Sequence, residues 1–127
     1  MARDDREFRL TVVIADVLRF RGMPDLYWTH LPFGEARSER TGARLKRMGT
    51  RPGAPDFLLI RNGRCIGLEL KEKGGRQSDN QRATESAWTL AGGLYRCCKG
   101  YDETVAFLEM VGLIRPDRSV IPAEATE

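Results

Sequence analysis

Asp56, Glu69 and Lys71 are two carboxylates and an amine at a spacing that one β-hairpin would bring onto a single face. Asn62-Gly63 separates the apolar runs 57–60 and 65–70. Asn-Gly suits a two-residue type I′ turn, in which both central residues need φ > 0. With that pair as the loop, Arg61 opposes Arg64, Ile60 opposes Cys65, Leu58 opposes Gly67, and Asp56 opposes Glu69. Opposed residues share a face, with Cβ atoms roughly 4.5–5.5 Å apart. Lys71, two residues beyond Glu69, shares it as well. Phe57, Leu59, Ile66, Leu68 and Leu70 fall on the other face, which reads as core.

Two carboxylates opposed on a strand pair repel each other, and a buried unpaired one is costlier still. A divalent cation between them removes both objections. Oxygen ligands favour a hard ion such as Mg²⁺, which takes one or two carboxylates and keeps several waters. A lysine beside that ion can orient or deprotonate a water. The competing reading of the same residues is a surface hairpin with an ordinary ion pair. The Pro55-Asp56 start, the Glu69-Leu70-Lys71 end and the matching register favour the site.

The elements around this hairpin can be read in chain order. Residues 5–21 predict a helix capped by Asp4 or Asp5 and stopped by Gly22 and Pro24. Its apolar face combines two lines, one through Phe8, Val12 and Ala15, the other through Glu7, Ile14 and Leu18, so Glu7 sits at the edge and looks inward. A short strand is expected over 26–31 and a helix over 38–48, with Gly49 past its end. Ser78-Asp79-Asn80-Gln81 is a capping box opening a helix that runs to about 91, with Ala83, Ala87, Trp88 and Leu90 or Ala91 buried. A strand at 94–98 and a helix from 103 to about 111, capped by Asp102, complete a core over 1–114. The remaining 115–127 reads as a loose C-terminal tail. Helices on both sides of mixed strands make this a layered α/β domain.

At 127 residues the chain is one domain with a single core of modest size. No apolar run approaches the ~20 residues needed to span a bilayer, and the N-terminal residues lack a signal peptide's apolar region. The expectation is a cytoplasmic protein without a membrane partner. Net charge is +3, which permits nucleic acid binding without diagnosing it. The distribution says more. Arg37, Arg40, Arg44, Lys46, Arg47 and Arg51 stand against Glu39 alone, and Arg40, Arg44 and Arg47 follow helical spacing as one stripe. Arginine suits bidentate phosphate recognition, and the stripe leads directly to the carboxylate site. Cys65, Cys97 and Cys98 are too few and wrongly spaced for a zinc site or disulfide framework. They read as small buried hydrophobes or reduced bystanders.

Pro55-Asp56 followed thirteen residues later by Glu69-Leu70-Lys71 is similar to the signature of the PD-(D/E)XK nucleases. The chain more narrowly resembles the VRR-NUC family, the virus-type replication-repair nuclease domain. Gly53-Ala54-Pro55-Asp56, Leu68-Glu69-Leu70-Lys71, Ser78 through Gln81, His30-Leu31-Pro32 and Arg44 through Gly49 carry the resemblance, which covers about residues 5–111. Phe33 departs from the family, where Asn often follows the proline. The resemblance implies a restriction-endonuclease-like core with a mixed central sheet flanked by helices. It implies a metal-dependent DNA endonuclease using Mg²⁺ or Mn²⁺. Asp56 and Glu69 would be ligands, the Leu70 carbonyl a third oxygen, and Glu7 a further ligand, direct or through water. Lys71 would act on the water. Gln81 stands either as a capping residue or as a group near the site. His30 would mark the site's edge or touch phosphate, and Lys73 and Arg76 would join the arginines in binding DNA. One chain holds one site, and two-strand cutting needs two, so a homodimer preferring branched or junction DNA is expected. A noncatalytic DNA-binding module with the same fold is the alternative.

Overall fold

The computed structural model describes residues 3–34 and 38–117. Arg37 and the expected tail beyond residue 117 therefore lie outside the described residues. The elements in order are α1 (Arg3–Arg21), β1 (Tyr27–His30), α2 (Glu39–Arg47), β2 (Phe57–Arg61), β3 (Arg64–Lys71), α3 (Asp79–Leu90), β4 (Leu94–Lys99) and α4 (Gly100–Met110). The strands form one sheet in the order β1-β2-β3-β4. The first three pair antiparallel and β3 pairs parallel with β4, so the sheet is mixed and α3 is the crossover.

The hairpin register is the one the turn dictates. Arg61 pairs with Arg64, Ile60 with Cys65 and Leu58 with Gly67. Asn62 and Gly63 both have positive φ, 53° and 72°, as a type I′ turn requires. Because side chains alternate, Phe57, Leu59, Ile66, Leu68 and Leu70 all turn to one face and are buried there. Ile14, Val17 and Leu18 of α1 and Phe107 and Leu108 of α4 complete that core. Each such side chain contributes roughly 1.5–3 kcal/mol on burial.

Only one of the two apolar lines expected on α1 is covered. Ile14, Val17 and Leu18 face the core, whereas Phe8 is 67% exposed and Val12, Val13 and Phe20 also face solvent. A helix lying on a sheet and against one neighbouring helix has a single stripe in contact, and the Ile14 line took it. The helix ends where expected, at Gly22, whose N–H bonds to Leu18 O at 3.0 Å. Arg115, the first residue of the expected tail, donates its N–H to Arg21 O at 2.8 Å and its guanidinium to Phe20 O at 2.8 Å.

α3 also departs from expectation. It buries no residue: Ala83, Ala87, Leu90 and Ala91 are exposed, and Trp88 is half-buried. α3 lies on the sheet face opposite the core, where a few residues of β3 and β4 meet it. α4 starts at Gly100 with Lys99 as its N-cap, so Asp102 lies inside the first turn and does not cap it; the Lys99 N–H donates to Glu103 Oε2 at 2.6 Å.

Candidate active site

Asp56 directly precedes β2, and continuing the observed pairing of Phe57 with Leu68 sets it opposite Glu69. Its backbone carbonyl accepts two hydrogen bonds at 2.8 Å, from Leu31 N–H and from His30 Nδ1. Its carboxylate Oδ2 accepts the Leu70 N–H at 2.6 Å. Both ends of the residue are thus fixed by the strands beside it. Gly53, with φ of +85°, brings the preceding loop against α3: a Cβ there would lie 2.3 Å from Asn80 O. Thr84 Oγ1 adds a 3.2 Å bond to Pro52 O. The loop that leads into Asp56 is therefore packed against the start of α3. Burial pushes its carboxyl above the ordinary range and the Glu69 charge adds to this, while the Leu70 N–H, Lys71 and His30 oppose it.

Glu69 is fully buried on the α3 side of the sheet. Its Oε1 accepts the Tyr95 hydroxyl at 2.5 Å and faces Gln77 Nε2 at 3.4 Å; its Oε2 faces Cys97 Sγ at 3.5 Å. Gln77 Nε2 also donates to Glu85 Oε1 at 2.8 Å, linking the β3 carboxylate to one on α3. Parallel pairing explains the convergence. Gly67 aligns with Tyr95 and Glu69 with Cys97, so the odd-numbered residues of both strands share this face. Gly67 makes room for it, since a Cβ there would meet the Tyr95 and Trp88 rings at 3.0 and 3.1 Å. Burial and the Glu69 bond push the Tyr95 hydroxyl upward, so it remains a donor. Burial, then Glu69, pushes the Cys97 thiol up to about 12. Cys97 is thus a neighbour of the site and not the bystander expected from sequence; Cys98, one residue on, is core.

Lys71 ends β3 on the same side and is half-buried, close enough for its charge to act on Asp56. The structure thus brings Asp56, Glu69 and Lys71 together. Arg6 of α1 pairs with Glu72 at 2.8 Å, which sets the helix's first turn beside the end of β3, and Glu7 Oε1 is sealed from solvent, but no contact joins Glu7 to Asp56, Glu69 or Lys71 among the described residues. Gln81 is engaged in the capping box, its Oε1 accepting Ser78 N–H at 2.8 Å and its N–H donating to Ser78 Oγ at 3.2 Å. His30 stacks edge-on with Phe57 at 5.5 Å, on the core side of the sheet, and holds the Asp56 backbone. Arg40, Arg44, Lys46 and Arg47 are exposed on α2, as are Arg51, Lys73 and Arg76 in the flanking loops. Among the described residues no three His, Cys, Asp or Glu side chains are grouped to hold a metal ion.

Tyr95, Gln77, Glu85 and Cys97 were not legible as site residues. Period-2 alternation sets Tyr95 and Cys97 on one face, but no turn reports how a strand beyond a crossover helix aligns with β3.

A solved structure named VRR_NUC domain protein has the same fold, with a TM-score of 0.68 over 82% of this chain and 85% of that one, at 19% identity. The mixed sheet with flanking helices is thus the α/β architecture of that domain. No protein-family model and no curated protein matches the sequence. Among the described residues no helix is long and apolar enough to cross a membrane.

Proposed function

We propose that this chain is a nuclease of the VRR-NUC family that hydrolyses DNA phosphodiester bonds with Mg²⁺ or Mn²⁺, working in the cytoplasm as a homodimer on branched DNA. The observation that carries the reading is the pairing of the buried Glu69 carboxylate with the half-buried Asp56 carboxylate at adjoining strand ends, with Lys71 beside them. The shared fold with a VRR_NUC domain protein supports it.

The donors fit a hard cation. Asp56, Glu69 and the Leu70 carbonyl are all oxygen, and Mg²⁺ completes its shell with water, so two carboxylates suffice. Burial and the Glu69 charge both disfavour the ionised form of Asp56, and a cation relieves both. When bound, it supplies positive charge that acidifies water and offsets charge developing at the phosphate.

The chain's own groups do the rest. Leu70 N–H and the clamped Asp56 carbonyl fix one carboxylate; the Tyr95 hydroxyl fixes the other. Lys71 orients the attacking water and stabilises phosphate charge. The α2 arginines hold the backbone, which positions DNA without reading its sequence. The domain itself spans 1–114 on this reading.

The test is incubation of the protein with linear duplex and a four-way junction in Mg²⁺, Mn²⁺ or EDTA. Cutting is expected with either metal and none in EDTA, with the junction preferred. Sedimentation should show twice the 14.3 kDa chain mass. Lys71→Ala should stop cutting while junction binding survives. Absence of cleavage with both metals, or a Lys71→Ala protein cutting at the parental rate, would overturn the assignment.

A further inference from the structure

The half-buried residues of α3 are Gln81, Thr84, Glu85 and Trp88, at the i, i+3, i+4, i+7 spacing of one helix face, and every other residue of the helix is exposed. A helix that covers a sheet ordinarily turns apolar residues to it, yet three of these four are polar. Gln81 is used by the capping box, Thr84 by its bond to Pro52 O, and Trp88 packs edge-on against Tyr95. Glu85 is left. Among the described residues no Lys or Arg forms an ion pair with it. A half-buried carboxylate without a cation is a cost to the fold, and what Glu85 does hold is Gln77.

Gln77 directly precedes the Ser78 cap, and its carbonyl accepts Arg82 Nη1 at 3.0 Å, so its backbone is tied to the first turn of α3. Its Nε2 lies 2.8 Å from Glu85 Oε1 and 3.4 Å from Glu69 Oε1. An amide can present a donor end or an acceptor end, whereas an ionised carboxylate only accepts. Glu85, the closer of the two, therefore dictates that the donor end stands between them. We propose that Glu85 and Gln77 are positioning residues for Glu69: Glu85 fixes the amide, and the amide joins the Tyr95 hydroxyl in occupying Glu69 Oε1, which leaves Oε2 as the oxygen offered to a cation. The inference rests on the nuclease reading and deepens its account of the site. Oε2 is faced by Cys97 Sγ at 3.5 Å, and a thiol is a weak donor. The charges of Glu69, Glu85 and Asp56 all act on the Tyr95 hydroxyl, so the three acids converge on one region. Without Glu85 the amide is free to turn its oxygen toward Glu69, and the carboxylate loses a donor that holds it.

The test is Mn²⁺ titration calorimetry on the metal-free chain without DNA, where cutting plays no part. Gln77→Met keeps the side chain's length and removes its donor; Glu85→Leu removes the acceptor that fixes it. Each should weaken Mn²⁺ binding about 10-fold, the scale for residues that hold a metal ligand in place. Glu85→Gln should stay within about 2-fold of the parent, because its amide oxygen still accepts from Gln77 although its charge is gone. In EDTA the Glu85→Leu protein should melt at or above the parent, since a half-buried acid has been removed. Parental Mn²⁺ affinity in Gln77→Met and Glu85→Leu would overturn the assignment. So would a Glu85→Gln protein as weak as Glu85→Leu, because Glu85 would then act on the cation through its own charge. Melting of Glu85→Leu well below the parent would make the Gln77 bond a fold contact and overturn it too. The expected variant pattern in Mn²⁺ binding without DNA cleavage would sink the nuclease reading and leave the positioning pair standing; DNA cleavage with parental Mn²⁺ affinity in all three variants would do the reverse.

Discussion

On β3, Ile66, Leu68 and Leu70 turn to one face of the sheet while Gly67, Glu69 and Lys71 turn to the other. The two faces are built from alternate residues of the same strand, yet they are organised by different physics. The α1 and α4 side is filled with Phe57, Leu59, Ile66, Leu68, Phe107 and Leu108, all essentially without solvent contact, and it carries the fold's stability. The α3 side keeps a glycine where a larger residue would clash, a tyrosine bonded to a buried carboxylate, and a helix with no buried residue. Two acidic groups are held there against desolvation and against each other. Stability and site chemistry are thus separated by a period of two, and substitutions one residue apart should move different observables.

The largest stability effect is expected on the core face. Leu68→Ala removes a fully buried side chain and should cost roughly 2–5 kcal/mol by urea unfolding, shifting the midpoint with little change in slope. A loss under 1 kcal/mol would mean that the two faces are not so different. Tyr95→Phe, on the site face, leaves the Glu69 oxygen without its strongest donor. The expected cost is about 1–3 kcal/mol, with Mn²⁺ affinity by titration calorimetry lowered about 10-fold, the scale for outer-shell partners of a metal ligand. Unchanged Mn²⁺ affinity would make Tyr95 a packing residue only.

Asp56→Asn should act in the opposite direction on stability. Asp56 has its carboxyl pushed above the ordinary value of 3.8 in the folded chain. Its protonated form therefore favours folding, a contribution fully present below pH 3.8 and lost as pH rises through the folded-state pKa. The Asn variant, which stays neutral, should melt higher than the parent at pH 7 in EDTA. That advantage should shrink as pH falls and vanish below 3.8. A parent that is the more stable at pH 7 would show that the Leu70, Lys71 and His30 contributions outweigh burial. The same variant should lose cleavage.

The smallest effect concerns the adjacent cysteines. Burial and Glu69 hold Cys97 at about 12, and burial first holds Cys98 at about 11. At pH 8 both should react with iodoacetamide more slowly in the folded protein than in urea, as only the thiolate attacks. Fast labelling of Cys97 in the folded state would place it away from Glu69.

Much of the hairpin was legible because its determinants are local. Asn62-Gly63 selects one turn, the turn selects one register, and alternation then assigns every side chain of residues 56–71 to a face. The Ser78 cap was legible for the same reason, its bond spanning three residues. α1 was less so. Its sequence holds two apolar lines, and nothing within the helix says which will be covered; the sheet and α4 chose Ile14, Val17 and Leu18 over Phe8 and Val12.

What the sequence by itself determined is therefore the Asp56, Glu69 and Lys71 register, since a two-residue turn leaves the strands no other alignment that buries Phe57, Leu59, Ile66, Leu68 and Leu70 together. The surroundings of Glu69 were decided only in three dimensions. Tyr95 lies 26 residues away and Cys97 lies 28, across a crossover helix that permits many alignments. Packing of Trp88 and Tyr95 over Gly67 selects one of them, through contacts that exist only once the layers have closed.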